Sequence, residues 1–212
     1  VNNRDLCEDK RSISGSFSWH TDAYTCKKYE ADRVLLYDSL LKRLHSLNFN
    51  SILDVGCGKG SLLARINKFD QSITLAGLDS SADKIRVAKR RLGEKSDLII
   101  CDSEILPWDE GSFDLVVCSE AFQRYTHPER VLSEMKRVIK PNGYLIVGDY
   151  WKITPLRQIN NLFRAILNNS LKIYSKTEIS DLLEQYSFKL TEWELIDNSI
   201  YILVAQKGVS IN

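Results

Sequence analysis

The strongest constraint on this chain is a rhythm: short apolar runs ending on an acidic residue recur between stretches with helical spacing. Ser51-Ile-Leu-Asp-Val55 is followed by Gly56-Cys-Gly58-Lys-Gly60, then by a helical stretch with Leu62, Leu63 and Ile66 on one face. Ile73–Leu78 reads as a strand ending at Asp79. Ser80 or Ser81 can cap the next helix, whose inner face is Ile85, Ala88 and Leu92. Leu98–Cys101 is a short strand ending at Asp102, and Phe113–Cys118 is another, ending at Ser119-Glu120. Pro128 starts a helix carrying Val131, Leu132, Met135 and Val138; Lys140-Pro-Asn-Gly143 is a turn; Tyr144–Val147 is a fifth strand ending near Asp149. Strands separated by helices form βαβ units. The expected fold is α/β, a doubly wound, mostly parallel seven-stranded sheet with helices on both faces. Two strand-like runs, about 188–196 and 199–207, are separated by Asp197 and Asn198 and should close it as a C-terminal antiparallel hairpin.

The flanks are organised differently. Residues 1–29 are expected to form an N-terminal arm or lid, and 30–212 a single domain. Val34, Tyr37, Leu40, Leu41, Leu44 and Leu47 recur at helical spacing over 30–47. After the fifth strand, Thr154-Pro155 is a helix start. Leu156, Ile159, Leu162, Phe163 and Ile166 then form an apolar stripe. With Tyr150 and Trp151 ahead of it, that stripe could line an acceptor pocket as a helical cover at about 151–173, or simply pack in the core. Ser175-Lys-Thr-Glu178 is a capping box before a helix at roughly 176–186.

Composition removes several classes. With 43% hydrophobic and 27% charged residues among 212, the chain is no disordered polar tract. Lys+Arg is 29 and Asp+Glu 28, so the net charge of +1 gives no global field for gripping nucleic acid or anionic lipid, although a local basic patch stays open. The longest apolar run, Ile200–Ala205, is far too short to span a membrane. Five cysteines without a CxxC spacing suggest small buried thiols in a reducing cytoplasm, with no metal site and no disulfide expected.

In a parallel sheet the carboxyl ends of the strands share one edge, where ligands bind. Asp54, Asp79, Asp102, Glu120 and Asp149 all fall at or just past strand ends. Together they describe a polar pocket suited to hydroxyls, amines or positive charge. Helix capping and strand termination are the plainer explanation for some of them, Asp149 above all. The glycine turn lets a ligand lie against bare backbone. A dinucleotide site also has a glycine turn and a later acid, but its third glycine or alanine would fall after two intervening positions, where Ser61 stands, and it has no use for Asp102.

Taken in order, Ile52-Leu-Asp-Val-Gly-Cys-Gly-Lys-Gly60, Leu75-Ala-Gly-Leu-Asp79, Cys101-Asp-Ser103, Phe113-Asp-Leu-Val-Val-Cys-Ser-Glu120 and Val138-Ile-Lys-Pro-Asn-Gly143 resemble the motifs of class I S-adenosylmethionine-dependent methyltransferases. The resemblance is nearest to the small-molecule branch of the ubiquinone/menaquinone-biosynthesis enzymes. It covers roughly residues 48–150; the tail matches only in layout. It implies methyl transfer from S-adenosylmethionine to a small-molecule acceptor. It also implies roles: Gly56, Gly58 and Gly60 under the methionine part, with Asp54 and the Ser119 carbonyl near its amino group. Asp79 would accept the ribose hydroxyls, with Ser80 flanking the adenine. Asp102 and the Ser103 backbone would meet the adenine amino group, and Leu78 and Leu106 would sandwich the ring or pack in the core. The family often has a His pair where Gln123 and Arg124 stand here, and Asn142 replaces a glycine.

Methyl transfer from a sulfonium is an in-line displacement, for which the protein binds, aligns and excludes water. The candidates for a base or acceptor ligand are His20 and Tyr24 in the arm, Glu120, His127 and Asp149. His127 precedes Pro128 and also suits a helix start. Two alternatives share the fold: a non-catalytic S-adenosylmethionine-binding regulatory or partner protein, and an NAD(P)-linked oxidoreductase.

Overall fold

The computed structural model describes residues 23–152, 155–166 and 172–208. The apolar runs form strands because both of their faces are covered. All of β1 (Ser51–Val55) is buried, as is all but the first residue of β2 (Thr74–Asp79). β3 is Ser96–Ile100, β4 Phe113–Ser119 and β5 Ile139–Tyr150. β6 (Phe188–Ile196) and β7 (Ile200–Lys207) form the closing hairpin, with Asp197 and Asn198 at left-handed φ of 48° and 51°. The seven strands lie in the order β3-β2-β1-β4-β5-β7-β6. β1 to β5 are mutually parallel, while β7 is antiparallel to both β5 and β6. The winding direction reverses between β1 and β4, which is where such sheets open a crevice at their carboxyl edge.

The helices cover both faces. α1 (Ala23–Leu44), α2 (Ser61–Phe69) and α3 (Ala82–Leu92) pack on one side through Leu36, Leu40, Leu63, Ile66 and Ile85. α4 (Pro128–Val138) and α6 (Lys176–Gln185) pack on the other through Leu132, Met135, Ile179 and Leu183. α6 carries the full Ser175/Glu178 capping box. A single 3₁₀ turn, Phe122–Arg124, follows β4.

Three expectations need correction. First, α1 begins at Ala23, so residues 23–29 belong to this helix rather than to an arm; residues 1–22 lie outside the described ones. Its buried stripe is Leu36, Leu40 and Leu44, whereas Val34 is 47% exposed. Second, the Lys140–Gly143 turn lies inside β5. The ladder jumps from Phe113↔Ile139 to Leu115↔Tyr144, and Asn142 absorbs the extra residues at φ 63°. Third, α5 (Leu156–Ile166) does not bury the described part of its stripe: Leu156 is 56%, Ile159 49% and Leu162 63% exposed. The side chains of Phe163 and Ile166 lie outside the described ones. A polar group docks this helix instead: Asn161 exchanges hydrogen bonds of 2.9 and 3.0 Å with the Ile173 backbone.

A buried cation ties α1 to the sheet edge. Arg43, 8% exposed, bonds Glu192 at 2.7 Å, Glu194 through its second nitrogen, and the Ser39 carbonyl at 3.0 Å. Arg43→Met keeps the aliphatic volume and strands the two half-exposed glutamates, which water can still solvate. We expect a loss of about 2 kcal/mol in urea unfolding. An unchanged midpoint would mean that the tie contributes nothing.

Candidate active site

The glycine turn after β1 depends on left-handed backbone. Gly56, Gly58 and Gly60 have φ of 85°, 55° and 69°. The Gly56 and Cys57 amides both donate to the Leu78 carbonyl, at 2.9 Å each, which pins the turn to the end of β2. A Cβ on Gly56 would lie 2.7 Å from the Ala121 Cβ, whereas one on Gly58 would meet nothing within 4 Å. The turn is thus closed beneath Gly56 and open above Gly58.

Around this turn the acids take distinct roles. Asp54 is 1% exposed and its Oδ1 has no hydrogen-bond partner. Burial, then the charges of Asp79 and Glu120, push its carboxyl up to about 8. Asp79 is buried and well supplied. Its Oδ1 accepts from the Ser81 amide at 2.9 Å, and its Oδ2 accepts from the Gly58 amide at 3.1 Å and from the Lys84 ammonium at 3.3 Å. Asp79 pairs across the ladder with Ile100, so Asp102, two residues on, lies at the same margin of the sheet. The Asp102 side chain is exposed and accepts from the Glu104 amide at 3.0 Å. Ser81, not Ser80, caps α3, leaving Ser80 exposed at the rim.

The other expected residues separate clearly. Ser119 is buried at the end of β4 opposite Gly148. The Ser103 side chain lies near the Tyr125 hydroxyl. Leu78 and Leu106 are 0% exposed and packed in the core, so neither offers a face to an adenine ring; strand alternation turns Leu78 inward where Asp79 turns to the rim. Asp149 is consumed by the backbone, its Oδ2 accepting from the Gln123 amide at 3.1 Å and its Oδ1 from the Tyr150 amide at 2.8 Å. Burial raises it to about 7 against those two bonds. Both oxygens are turned to main chain, which makes it a brace for the 3₁₀ turn rather than a base. His127 precedes α4 on the surface, 3.4 Å from the Glu129 carboxylate, with its carbonyl accepting from the Arg130 and Val131 amides. His20 lies outside the described residues; Tyr24 falls on α1, but its side chain is not among those described.

Glu120 stands apart. It is held at a left-handed φ of 55°, its amide donating to the Gly148 carbonyl at 2.9 Å. Tyr150 donates to its Oε1 at 2.7 Å, and Tyr37 approaches its Oε2 at 3.5 Å. Burial raises both tyrosine hydroxyls well above their ordinary value, with the Glu120 charge adding to it, so both stay protonated donors. Sequence reading gave Tyr37 no role at the rim, because the contact joins residues 83 apart. It also missed Tyr125, whose hydroxyl lies 3.3 Å from the Val55 carbonyl and 3.5 Å from the Cys118 sulfur. Cys57 and Cys118 are free, and burial raises both thiols far from thiolate character. Cys101, contrary to expectation, is disulfide-bonded. The spacing of the cysteines could not reveal this, because bonded partners meet in space rather than along the chain.

A reversing parallel sheet, a glycine turn at the reversal and acids at the ends of β1 and β2 define a Rossmann-like nucleoside-binding site. The family with the description "Methyltransferase domain" matches residues 49–200, and the chain belongs to it. The resemblance to class I S-adenosylmethionine-dependent methyltransferases therefore holds. Among curated relatives, the phthiotriol/phenolphthiotriol dimycocerosates methyltransferase of Mycobacterium tuberculosis is 32% identical over 59% of this chain and 54% of its own length. The demethylmenaquinone methyltransferase of Thermotoga maritima is 30% identical over 48% of this chain and 44% of its own. The chain thus spans about half the length of these relatives. A solved S-adenosylmethionine-dependent methyltransferase from Aquifex aeolicus superposes with a TM-score of 0.67 at 20% identity, covering 88% of this chain and 99% of that one. No helix among the described residues is long and apolar enough to cross a membrane.

Proposed function

We propose that this chain is an enzyme that transfers a methyl group from S-adenosylmethionine to a small-molecule acceptor. The observation that carries the reading is Asp54, a buried carboxyl with an orphaned oxygen beside an open glycine turn. Such a group calls for a cationic hydrogen-bond donor, and the ammonium of a methionine moiety is one. The remaining donors and acceptors fit the same molecule. Gly56, Gly58 and Gly60 would underlie its methionine part, and the Ser119 carbonyl would face the ammonium. Asp79 would accept the ribose hydroxyls; Lys84, half exposed, can leave its Oδ2 at small cost. Ser80, Asp102 and the Ser103 backbone would meet the adenine.

When bound, the cofactor supplies a methyl group on a sulfonium, ready for in-line displacement. The chain's own work is alignment and exclusion of water. Glu120, braced by Tyr37 and Tyr150, is the group we assign to hold the acceptor or take its proton. The exposed Leu156, Ile159 and Leu162 support a cover near 151–173 over the acceptor, within one domain that takes in the whole of α1. The balanced charge favours a small molecule over nucleic acid.

Calorimetric titration with S-adenosylmethionine tests the reading. We expect saturable heat, and at least tenfold weaker binding for Asp79→Asn, because the amide turns one of two acceptor oxygens into a donor. Absence of binding by the unaltered chain would overturn the reading. A turnover screen over a panel of acceptors then separates an enzyme from a binding protein.

A further inference from the structure

The reading above leaves unused a groove of about 990 Å³ between α1 and α2. Val34, Leu35, Ala64 and Leu92 give it apolar walls, while five cations line it: Arg33, Lys59, Arg65, Lys68 and Arg91. Asp38 is the one acid among the described lining residues, and it is committed to Arg65 at 2.6 Å. In a chain of net charge +1, this local excess is an asymmetry that composition hides. Like charges gathered around one concavity repel each other and raise the local concentration of anions.

The groove is also built into the site. Arg91 Nη1 donates to the Lys59 carbonyl at 3.0 Å and to the Ser61 hydroxyl at 2.5 Å, which fixes a guanidinium beside the glycine turn. Tyr37 joins the two regions. The Arg65 guanidinium lies 5.6 Å from its ring centroid on the groove side, while its hydroxyl reaches Glu120 at the rim.

We propose that this groove binds the methyl acceptor, and that the acceptor is an amphipathic anion. Its apolar body would lie against Val34, Leu35 and Leu92, and a phosphate-type group would lie among Lys59, Lys68 and Arg91. The word acceptor rests on the methyl-transfer reading; the preference for amphipathic anions rests on the groove alone.

The probe is decyl phosphate below its micellar concentration, titrated into the full chain beside 1-decanol and inorganic phosphate. We expect decyl phosphate to bind at least tenfold more tightly than either, with an affinity that falls as salt rises. Lys68→Glu should weaken it at least fivefold and Lys68→Arg should restore it, while S-adenosylmethionine affinity stays within threefold in both. Decyl phosphate should also compete with the acceptor found in the turnover screen. Equal binding of decanol or of inorganic phosphate, indifference to Lys68→Glu, or inhibition not competitive with the acceptor would each overturn the proposal. So would binding to phosphatidic acid vesicles without binding to the monomeric probe. If S-adenosylmethionine binds and decyl phosphate does not, the groove proposal falls alone. If decyl phosphate binds as expected and S-adenosylmethionine does not, the methyl-transfer reading falls and the anion groove stands.

Discussion

Asp54→Asn is expected to make the protein without cofactor more stable while removing its grip on S-adenosylmethionine. In the folded chain Asp54 keeps its proton up to about pH 8; in the unfolded chain it releases it near 3.8. Between those values the unfolded state binds fewer protons, so stability falls as pH rises, by at most about 1.4 kcal/mol per pH unit. Asparagine has the same shape and nothing to ionise. The variant and the parent should therefore melt together near pH 4. The variant's advantage should widen from pH 5 to pH 8 and become constant above pH 8. Scanning calorimetry at pH 5 and pH 8 reads this directly, and an advantage that does not grow over that interval sinks the account. The same substitution removes the carboxylate that would pair with the ammonium. Losing one partner of a buried ion pair costs about 3–5 kcal/mol, which is a fall of more than a hundredfold in cofactor affinity. A site acid that destabilises its own fold reflects selection for binding rather than for stability.

The parts of this molecule that were legible in its sequence are those fixed by local pattern. Leu62, Leu63 and Ile66 had to share a helix face, and Ile85, Ala88 and Leu92 another, because spacing alone decides which side of a helix is apolar. Parallel strands then had to bring Asp54 and Asp79 to one edge. Spacing does not decide which face of a helix docks. α5 shows this: its apolar stripe was plain, yet the helix is anchored by Asn161, and Leu162 faces water. Nor does spacing reveal long-range partners. Arg43 meets Glu192, 149 residues away, only because the returning hairpin brings that strand beside α1.

Glu120→Gln is expected to separate chemistry from cofactor binding. Two protonated tyrosines donate to the Glu120 carboxylate, one to each oxygen, which fixes its orientation. Glutamine keeps the size but offers one oxygen and two N–H donors. It cannot accept from both tyrosines with two oxygens, and it cannot take a proton. General-base contributions of about a hundredfold to ten-thousandfold set the scale. With the acceptor found by screening, kcat should fall at least a hundredfold, while S-adenosylmethionine affinity stays within threefold, because Asp54, Asp79 and the glycine turn are untouched. Tyr150→Phe removes one of the two braces and should cost about tenfold in kcat, a smaller loss than removal of the base itself. The double variant distinguishes a positioning tyrosine from one that touches the acceptor. If Tyr150 acts through Glu120, its loss costs nothing further once Glu120 is glutamine; if it acts separately, the two losses multiply. A Glu120→Gln enzyme that turns over within threefold of the parent would remove Glu120 from the reaction, and with it the assignment of both tyrosines as its braces.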